Sequence, residues 1–455
     1  MRRDFIISAL AMLLVSLTAS AERVTRQQAA ETAAEFFSRA ETGGFSRNRV
    51  PSVTMVMSVE DAFYVFDNAD GHGFVIVSAE DAVMPVLGYS FENSFPEDGD
   101  MAPGLRSWME DMRKEIMAVR AMGISQSEST AAAWSGPEYG TPVVELETAR
   151  WGQEEPFCDL CPVVDGQTAA TGCAATALAS VMYYFRWPEK GTGTIPAYTT
   201  LTDKRPVEAL TLGHTYNWDN MLADYSSSYT EEQAGAVAVL MRDCGYMIES
   251  DYRARDNGGT GSYMKDIPEP LVKYMGYDES VRHVTRADYT AQEWLDMMKA
   301  ELDGGRPVLY AGCTASYAAH AFVLDGYTDN DFFRVNWGWC GESNGYFLLD
   351  ALNVERNGNL YELNYLQDAI IGIQPDTGTE DVSGEVGLAY DKAAGTVTLT
   401  AQEQITVSLI DSEGRMAAEA ASGTSVTLDI SGLEAGDYTL KVTGDTLSME
   451  LTLTV

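Results

Sequence analysis

The chain has 455 residues, a formal net charge of −38 and an apolar share of 45% with 10% aromatics. That length exceeds one ordinary compact domain, and that composition supports real cores, which excludes a disordered tail. The acidity leaves no basic stripe for a nucleic acid, so no nucleic-acid partner is expected.

In chain order, the first segment is "MRRDFIISALAMLLVSLTASA", residues 1–21. Arg2 and Arg3 precede an apolar stretch from Phe5 to Leu17, and Ala19-Ser20-Ala21 supplies the small-x-small pattern that signal peptidases cut. The stretch is shorter than the roughly 20 residues of a membrane span. A cleaved signal peptide, no transmembrane segment and a location outside the cell, in the periplasm or at the cell surface, are therefore expected.

Next comes a small α+β unit. "TRQQAAETAAEFFSRA" has apolar positions at helical spacing, "AFYVFD" and "GFVIVSA" read as strands, and "LRSWMEDMRKEIMAV" reads as a second amphipathic helix. "GISQSESTAAAWSGPEYGTP", rich in Ser, Ala, Gly and Pro, then reads as an exposed linker open to proteases.

Residues 143–375 mix helical patterns ("EEQAGAVAVLMRDCGY", "AQEWLDMMKAELDGG") with strands ("AFVLDGY", "FFRVNWGW") and hold the largest core. A polar linker, 376–385, leads to residues 386–455, where "TVTLTA", "ITVSLID", "SVTLDIS" and "DYTLKVT" alternate at period two between turns. That pattern predicts an all-β sandwich without chemistry of its own.

Cysteine and histidine are scarce. Cys158 and Cys161 form a CxxC with no second pair at zinc-site spacing, so no metal and no cofactor are expected. Cys173 lies in "TGCAATALASVMYYF", where Gly172 precedes a helix-forming run. In a helix's first turn, unpaired N–H groups and the dipole stabilise a thiolate. The competing reading is an inert small side chain at a helix contact.

A thiolate nucleophile needs a base. His320 follows a loop of small residues and begins an apolar strand, where a side chain can point from a rigid scaffold. Its distance along the chain from Cys173 matches papain-like enzymes, in which base follows nucleophile by about 130–150 residues. His72, His214 and His283 lie in polar, turn-like surroundings and read as surface residues. Asn336 offers an amide to hold the imidazole, and Trp337 would shield that bond from water. The alternative is a strand end with core aromatics. An oxyanion donor is wanted beside the Cys173 N–H; Gln153 and Gln167 are the candidates.

Together, "WGQEEPFCDLCP", "TGCAATALASVMYYFRWPEKG", "MRDCGYMIESDY", "HAFVLDGY", "VNWGWCGESNGYF" and "NYLQDAIIGIQP" resemble the streptopain family of secreted papain-like cysteine peptidases, over about residues 24–375. The resemblance implies an α+β, two-subdomain papain-like fold with an inhibitory α+β propeptide at 22–142 and a catalytic domain at 143–375. It implies Cys173 as nucleophile, His320 as base, Gln153 in the oxyanion hole with the Cys173 N–H, and Asn336 and Trp337 orienting the histidine. Protein or peptide substrates, cut next to an apolar residue, and the propeptide as intramolecular inhibitor follow as partners.

Two positions depart from the family: Cys158 replaces an asparagine, and Cys340 a glycine after "WGW". Both segments flank the site in the family, so Cys158 and Cys340 are candidates for a disulfide, which needs Cα atoms within roughly 7 Å; the alternative is two unrelated free thiols. The C-terminal unit resembles the sorting domains of type IX export, without their basic last residues; a spacer or surface-binding module fits as well. Alternatives for the whole are an inactive relative serving as a binding or inhibitory protein, and an amidase or transglutaminase using the same dyad.

Overall fold

The computed structural model describes residues 22–41, 51–59, 62–69, 71–96, 101–255, 259–313, 319–349, 367–376, 386–391, 395–411, 415–433, 436–444 and 448–454. The expected signal segment and residues 377–385 of the expected linker lie outside the described residues.

Helix α1 (Arg26–Glu41) buries Ala29, Ala33, Phe36 and Phe37, a spacing that puts all four on one face. Strands β1 (Val53–Val59), β2 (Phe63–Asn68), β3 (Phe74–Ser78) and β4 (Val86–Ser90) follow as an antiparallel meander. Helix α2 (Pro103–Met122) opens on proline, whose missing N–H costs nothing there, and stops at Gly123 with φ +62°. It buries Leu105, Trp108, Met109, Met112, Ile116 and Val119.

The stretch after α2 differs from the exposed linker expected of it. Helix α3 (Glu128–Ser135) forms within it, capped reciprocally by Ser127 and Thr130. Trp134 Nε1 donates to the Val83 carbonyl at 2.9 Å, and Glu138 pairs with Arg39 at 3.4 Å. The segment is thus folded against the first unit.

The second half supplies helices α4 (Cys173–Phe185), α5 (Glu231–Met247), α6 (Pro268–Met275) and α7 (Ala291–Asp303). Capping boxes start α5 at Thr230/Gln233 and α7 at Thr290/Glu293. Its main strands are β5 (Pro142–Glu145), β6 (Arg282–Thr285), β7 (Val308–Cys313), β8 (Ala319–Thr328), β9 (Phe333–Asn336), β10 (Gly345–Phe347) and β11 (Asp368–Ile371).

Both halves share one eleven-stranded sheet of order β1-β2-β3-β4-β10-β9-β8-β7-β11-β6, with β5 against β8. The junction pairs Tyr89 with Tyr346 and Gly88 with Phe347. Close approach requires glycine here. A Cβ on Gly88 would stand 2.5 Å from the Phe347 ring, and one on Gly345 would stand 2.3 Å from the Tyr89 carbonyl oxygen. One apolar core runs through both halves, with Trp108, Trp337 and Phe347 in contact at its centre. The fold class is α+β, as expected.

The C-terminal unit is all-β. Strands Val386–Asp391, Thr396–Ile410, Met416–Asp429, Asp437–Thr443 and Ser448–Thr454 form one five-stranded antiparallel sheet. Alternate residues, among them Val397, Leu399, Val407, Leu409, Leu440 and Val442, build its core. The long strand shifts register between Thr400 and Ile405; its first half pairs with Val386–Asp391 and its second with Asp437–Thr443. Among the described residues, no helix is long and apolar enough to cross a membrane.

Candidate active site

Cys173 is the first residue of α4. Gly172, at φ +85°, turns the chain into the helix where a Cβ would press on Thr260 at 3.0 Å. Thr176 fixes the turn: its N–H and its hydroxyl both donate to the Gly172 carbonyl at 3.0 Å, and its Oγ1 lies 2.6 Å from that of Thr171. Main-chain N–H groups of Ala174, Cys173 itself and Ala321 converge on the sulfur. They favour a thiolate, but desolvation outweighs them and burial pushes the thiol above its ordinary value.

His320 sits on β8 opposite Gly312 of β7. Strand alternation puts its side chain on the same face as Phe322. That face is covered by α2: Gly104, Ser107, Trp108, Asp111 and Met112 close over Tyr310, Gly312 and Phe322 around a cavity of 20 Å³, room for one water. Burial lowers the imidazole below its ordinary value. Both shifts run toward the uncharged forms.

Gln153 is tied next to the nucleophile, its carbonyl accepting the Thr171 N–H at 3.2 Å. Gln167 stands exposed at a hairpin and drops out as its rival. Trp337 is buried between Phe322 and Phe347, donating Nε1–H to the Ser343 carbonyl at 3.0 Å. The start of α2 lies flat on it, since a Cβ on Gly104 would be 2.8 Å from the indole.

Asn336 is buried at the end of β9. Its Nδ2 donates to Thr148 Oγ1 at 3.0 Å and to the Ala149 carbonyl at 2.8 Å, and its Oδ1 accepts the Gly338 N–H at 3.2 Å. With these bonds the amide pins the 148–149 segment to the sheet.

The candidate Cys158–Cys340 disulfide is not formed; both cysteines are free. The physical reason is orientation. The Cys340 sulfur lies over Gly152, where a Cβ would meet it at 2.5 Å. Cys158 instead accepts from Arg255 Nη2 at 3.2 Å and packs with Cys161, Val164 and Tyr252. Two histidines read as surface residues are also paired: His214 Nε2 lies 2.7 Å from Asp243, and His283 Nε2 lies 2.8 Å from Asp368. His72 is exposed, as expected.

Sequence reading missed Asp325, a buried carboxylate on β8. It accepts from Thr148 Oγ1 at 2.5 Å, lies 3.5 Å from Arg334, and burial pushes it up to about 6. A carboxylate within the apolar strand "AFVLDGY" was the available signal. Among the described residues, no cluster of His, Cys, Asp and Glu is arranged to hold a metal.

A helix-borne cysteine, a histidine on a strand of the sheet beside it, and a folded leading unit packed over that strand's neighbours are the plan of a papain-like cysteine peptidase with its pro-segment in place. Comparison with known proteins narrows the class. The peptidase C10 family model matches residues 151–347, and the Spi protease inhibitor model matches residues 21–116. Streptopain from Streptococcus pyogenes is 34% identical over 337 residues, covering 69% of this chain and 80% of its own. The thiol protease/hemagglutinin PrtT of Porphyromonas gingivalis is 32% identical over 393 residues, 82% of this chain; the match spans only 44% of PrtT. Among solved structures, a prointerpain A fragment from Prevotella intermedia aligns with a TM-score of 0.59 at 32% identity, covering 71% of this chain and 98% of that one. The chain belongs to the peptidase C10 family and is a cysteine peptidase carrying an inhibitor-like leading unit.

Proposed function

We propose that the chain is an exported cysteine endopeptidase made as a zymogen, working through a Cys173–His320 dyad and a thioester acyl-enzyme. The observation that carries this reading is α2 closing over Gly312 and Phe322, the neighbours of His320 on β7 and β8, while burial raises the thiol and lowers the imidazole. Loss of residues 22–142, after a cut in the 123–142 segment, re-exposes the imidazole to water and relieves the desolvation that lowers it.

The thiol proton then passes to His320, and Sγ attacks the carbonyl carbon of a peptide bond. The oxyanion lies between the Cys173 N–H and the Gln153 amide. The imidazolium protonates the departing amine, leaving a thioester. Water, deprotonated by His320, hydrolyses the thioester and restores the thiol. The substrates are protein or peptide chains, and the pro-segment is the intramolecular inhibitor. The test follows the intact mass of the parent and of Cys173→Ala over time, with a peptide substrate present. The parent should lose its leading unit and cut the peptide, while the variant does neither. Two inert proteins, even after an added protease has removed the leading unit, would overturn the proposal.

A further inference from the structure

Cys158 and Cys161 stand at the ends of one tight turn in the chain that follows Gln153. The Cys161 N–H donates to the Cys158 carbonyl at 2.8 Å, and the Cys158 N–H donates to the Glu154 carbonyl at 3.2 Å. A turn closed by such a bond keeps its end Cα atoms within about 7 Å, the range that a disulfide spans. Both side chains are buried in one apolar cluster with Val164, Ala169, Val207, Tyr252 and Ala254. Cys340, the partner expected from the family's geometry, is held over Gly152 instead.

We infer that Cys158 and Cys161 are a site of oxidative modification, closing to a disulfide that staples the loop carrying the oxyanion residue. The loop is already tied at several points. Arg255 Nε donates to the Thr168 carbonyl at 3.0 Å, its Nη2 donates to Cys158 Sγ at 3.2 Å, and its Nη1 pairs with Glu154. The Ala169 N–H donates to the Pro162 carbonyl at 3.0 Å. The staple would add a covalent tie to this hydrogen-bonded turn, which lies in the chain between Gln153 and the Thr171–Cys173 turn.

The chemistry balances with a low-molecular-weight disulfide as oxidant. Cys158 loses its proton, against the burial that raises its thiol and with only partial help from the Arg255 cation, and attacks one sulfur of the oxidant, expelling a thiolate. Cys161 then loses its proton and attacks the Cys158 sulfur, expelling the second thiolate. Two protein thiols thus give up two protons and two electrons, and the oxidant leaves as two small thiols.

The environment also sets how the bridge behaves. Burial pushes Cys158 up to about 11 and Cys161 up to about 12. A thiol with a high pKa is a poor leaving group, so the bridge resists reduction by mild thiols. Cys173 carries no such bridge. A mild thiol therefore keeps the nucleophile reduced and leaves the staple intact, so that one protein is both thiol-active and disulfide-bonded.

The inference leans on the proposed function only for the oxidising surroundings of an exported chain, and its test supplies those directly. The purified full chain is incubated with oxidised glutathione, treated briefly with a mild monothiol, alkylated after denaturation without further reductant, and mapped by mass. The peptide spanning Cys158 and Cys161 should be unalkylated and lighter by two hydrogens, while Cys173 is alkylated. Alkylation of both Cys158 and Cys161, or a bridge from Cys158 to Cys340, overturns the inference. A second reading uses Tm. A strong phosphine reductant should lower Tm of the parent by several degrees and leave that of C158S/C161S unchanged; equal responses also overturn it. Neither readout involves peptide cleavage, so failure here is separable from failure of the peptidase proposal.

Discussion

The two sides of the catalytic site are built differently. Around Cys173 the turn is shaped locally, by Thr171, Gly172 and Thr176, with Gln153 joining from upstream, Thr260 packed on Gly172 and the Ala321 N–H on the sulfur. Around His320 nearly everything comes from far along the chain: Gly104, Trp108 and Asp111 lie more than 200 residues earlier. The turn at Cys173 is thus shaped largely by a short stretch, while the sheet face beside His320 is covered by a separate folded unit.

The largest effect that would sharpen this contrast lies in β8 itself. Asp325 has its pKa raised to about 6 in the fold, so the folded state binds its proton more tightly than the unfolded chain does. The associated stability is fully present below about 4, where both states are protonated, and is lost as pH rises through about 6. The unfolding free energy of the parent should therefore increase between pH 7 and pH 4, relative to Asp325→Asn, by up to about 3 kcal/mol. Denaturant titrations at the two pH values measure this, and parallel profiles would show that the long-range pair with Thr148 and Arg334 is not strained.

A smaller effect should break the comparison. Gly88→Val places side-chain atoms into the Phe347 ring at the junction of the two halves, an overpacking that costs roughly 1–3 kcal/mol. The leading unit should loosen, and iodoacetamide should reach Cys173 roughly tenfold faster or more, as read by mass spectrometry of the alkylated peptide. The smallest effect is expected from Trp108→Phe. It removes the 2.8 Å bond from the indole N–H to the Leu348 carbonyl, a loss of about 1 kcal/mol, and should speed the same alkylation only a few-fold. An unchanged rate in both variants would mean that the histidine side is not controlled through this interface.

The local side was legible in the sequence for the same reason that it is local. Gly172 before an alanine-rich run announces a helix start, and Cys173 falls at it. Helix α3 was legible in principle, because Ser127 and Thr130 stand at cap spacing before a run of alanines, but the Ser, Gly and Pro around them read as linker. The non-local side was not legible. The partners of Asn336 are Thr148 and Ala149, and no spacing rule connects residues nearly 190 positions apart. Only the folded pairing of β8, β9 and the incoming chain brings that amide to them. The sheet junction needs a glycine in each of two strands from opposite halves, and "LGYS" and "NGYF" carry them without declaring that they meet. The cysteine pairing failed in the same manner: family geometry set Cys158 against Cys340, while backbone turn geometry sets it beside Cys161.

The shared sheet also bears on timing. A cut anywhere between residues 123 and 142 severs no rung between β4 and β10, so the severed unit keeps its seat after its covalent link is gone. Departure then becomes a dissociation event, governed by dilution and by digestion of the loosened unit rather than by the cut itself. A concentrated batch of freshly cut molecules should lag behind a dilute one in gaining activity, so the ladder acts as a clock that runs faster as the enzyme disperses.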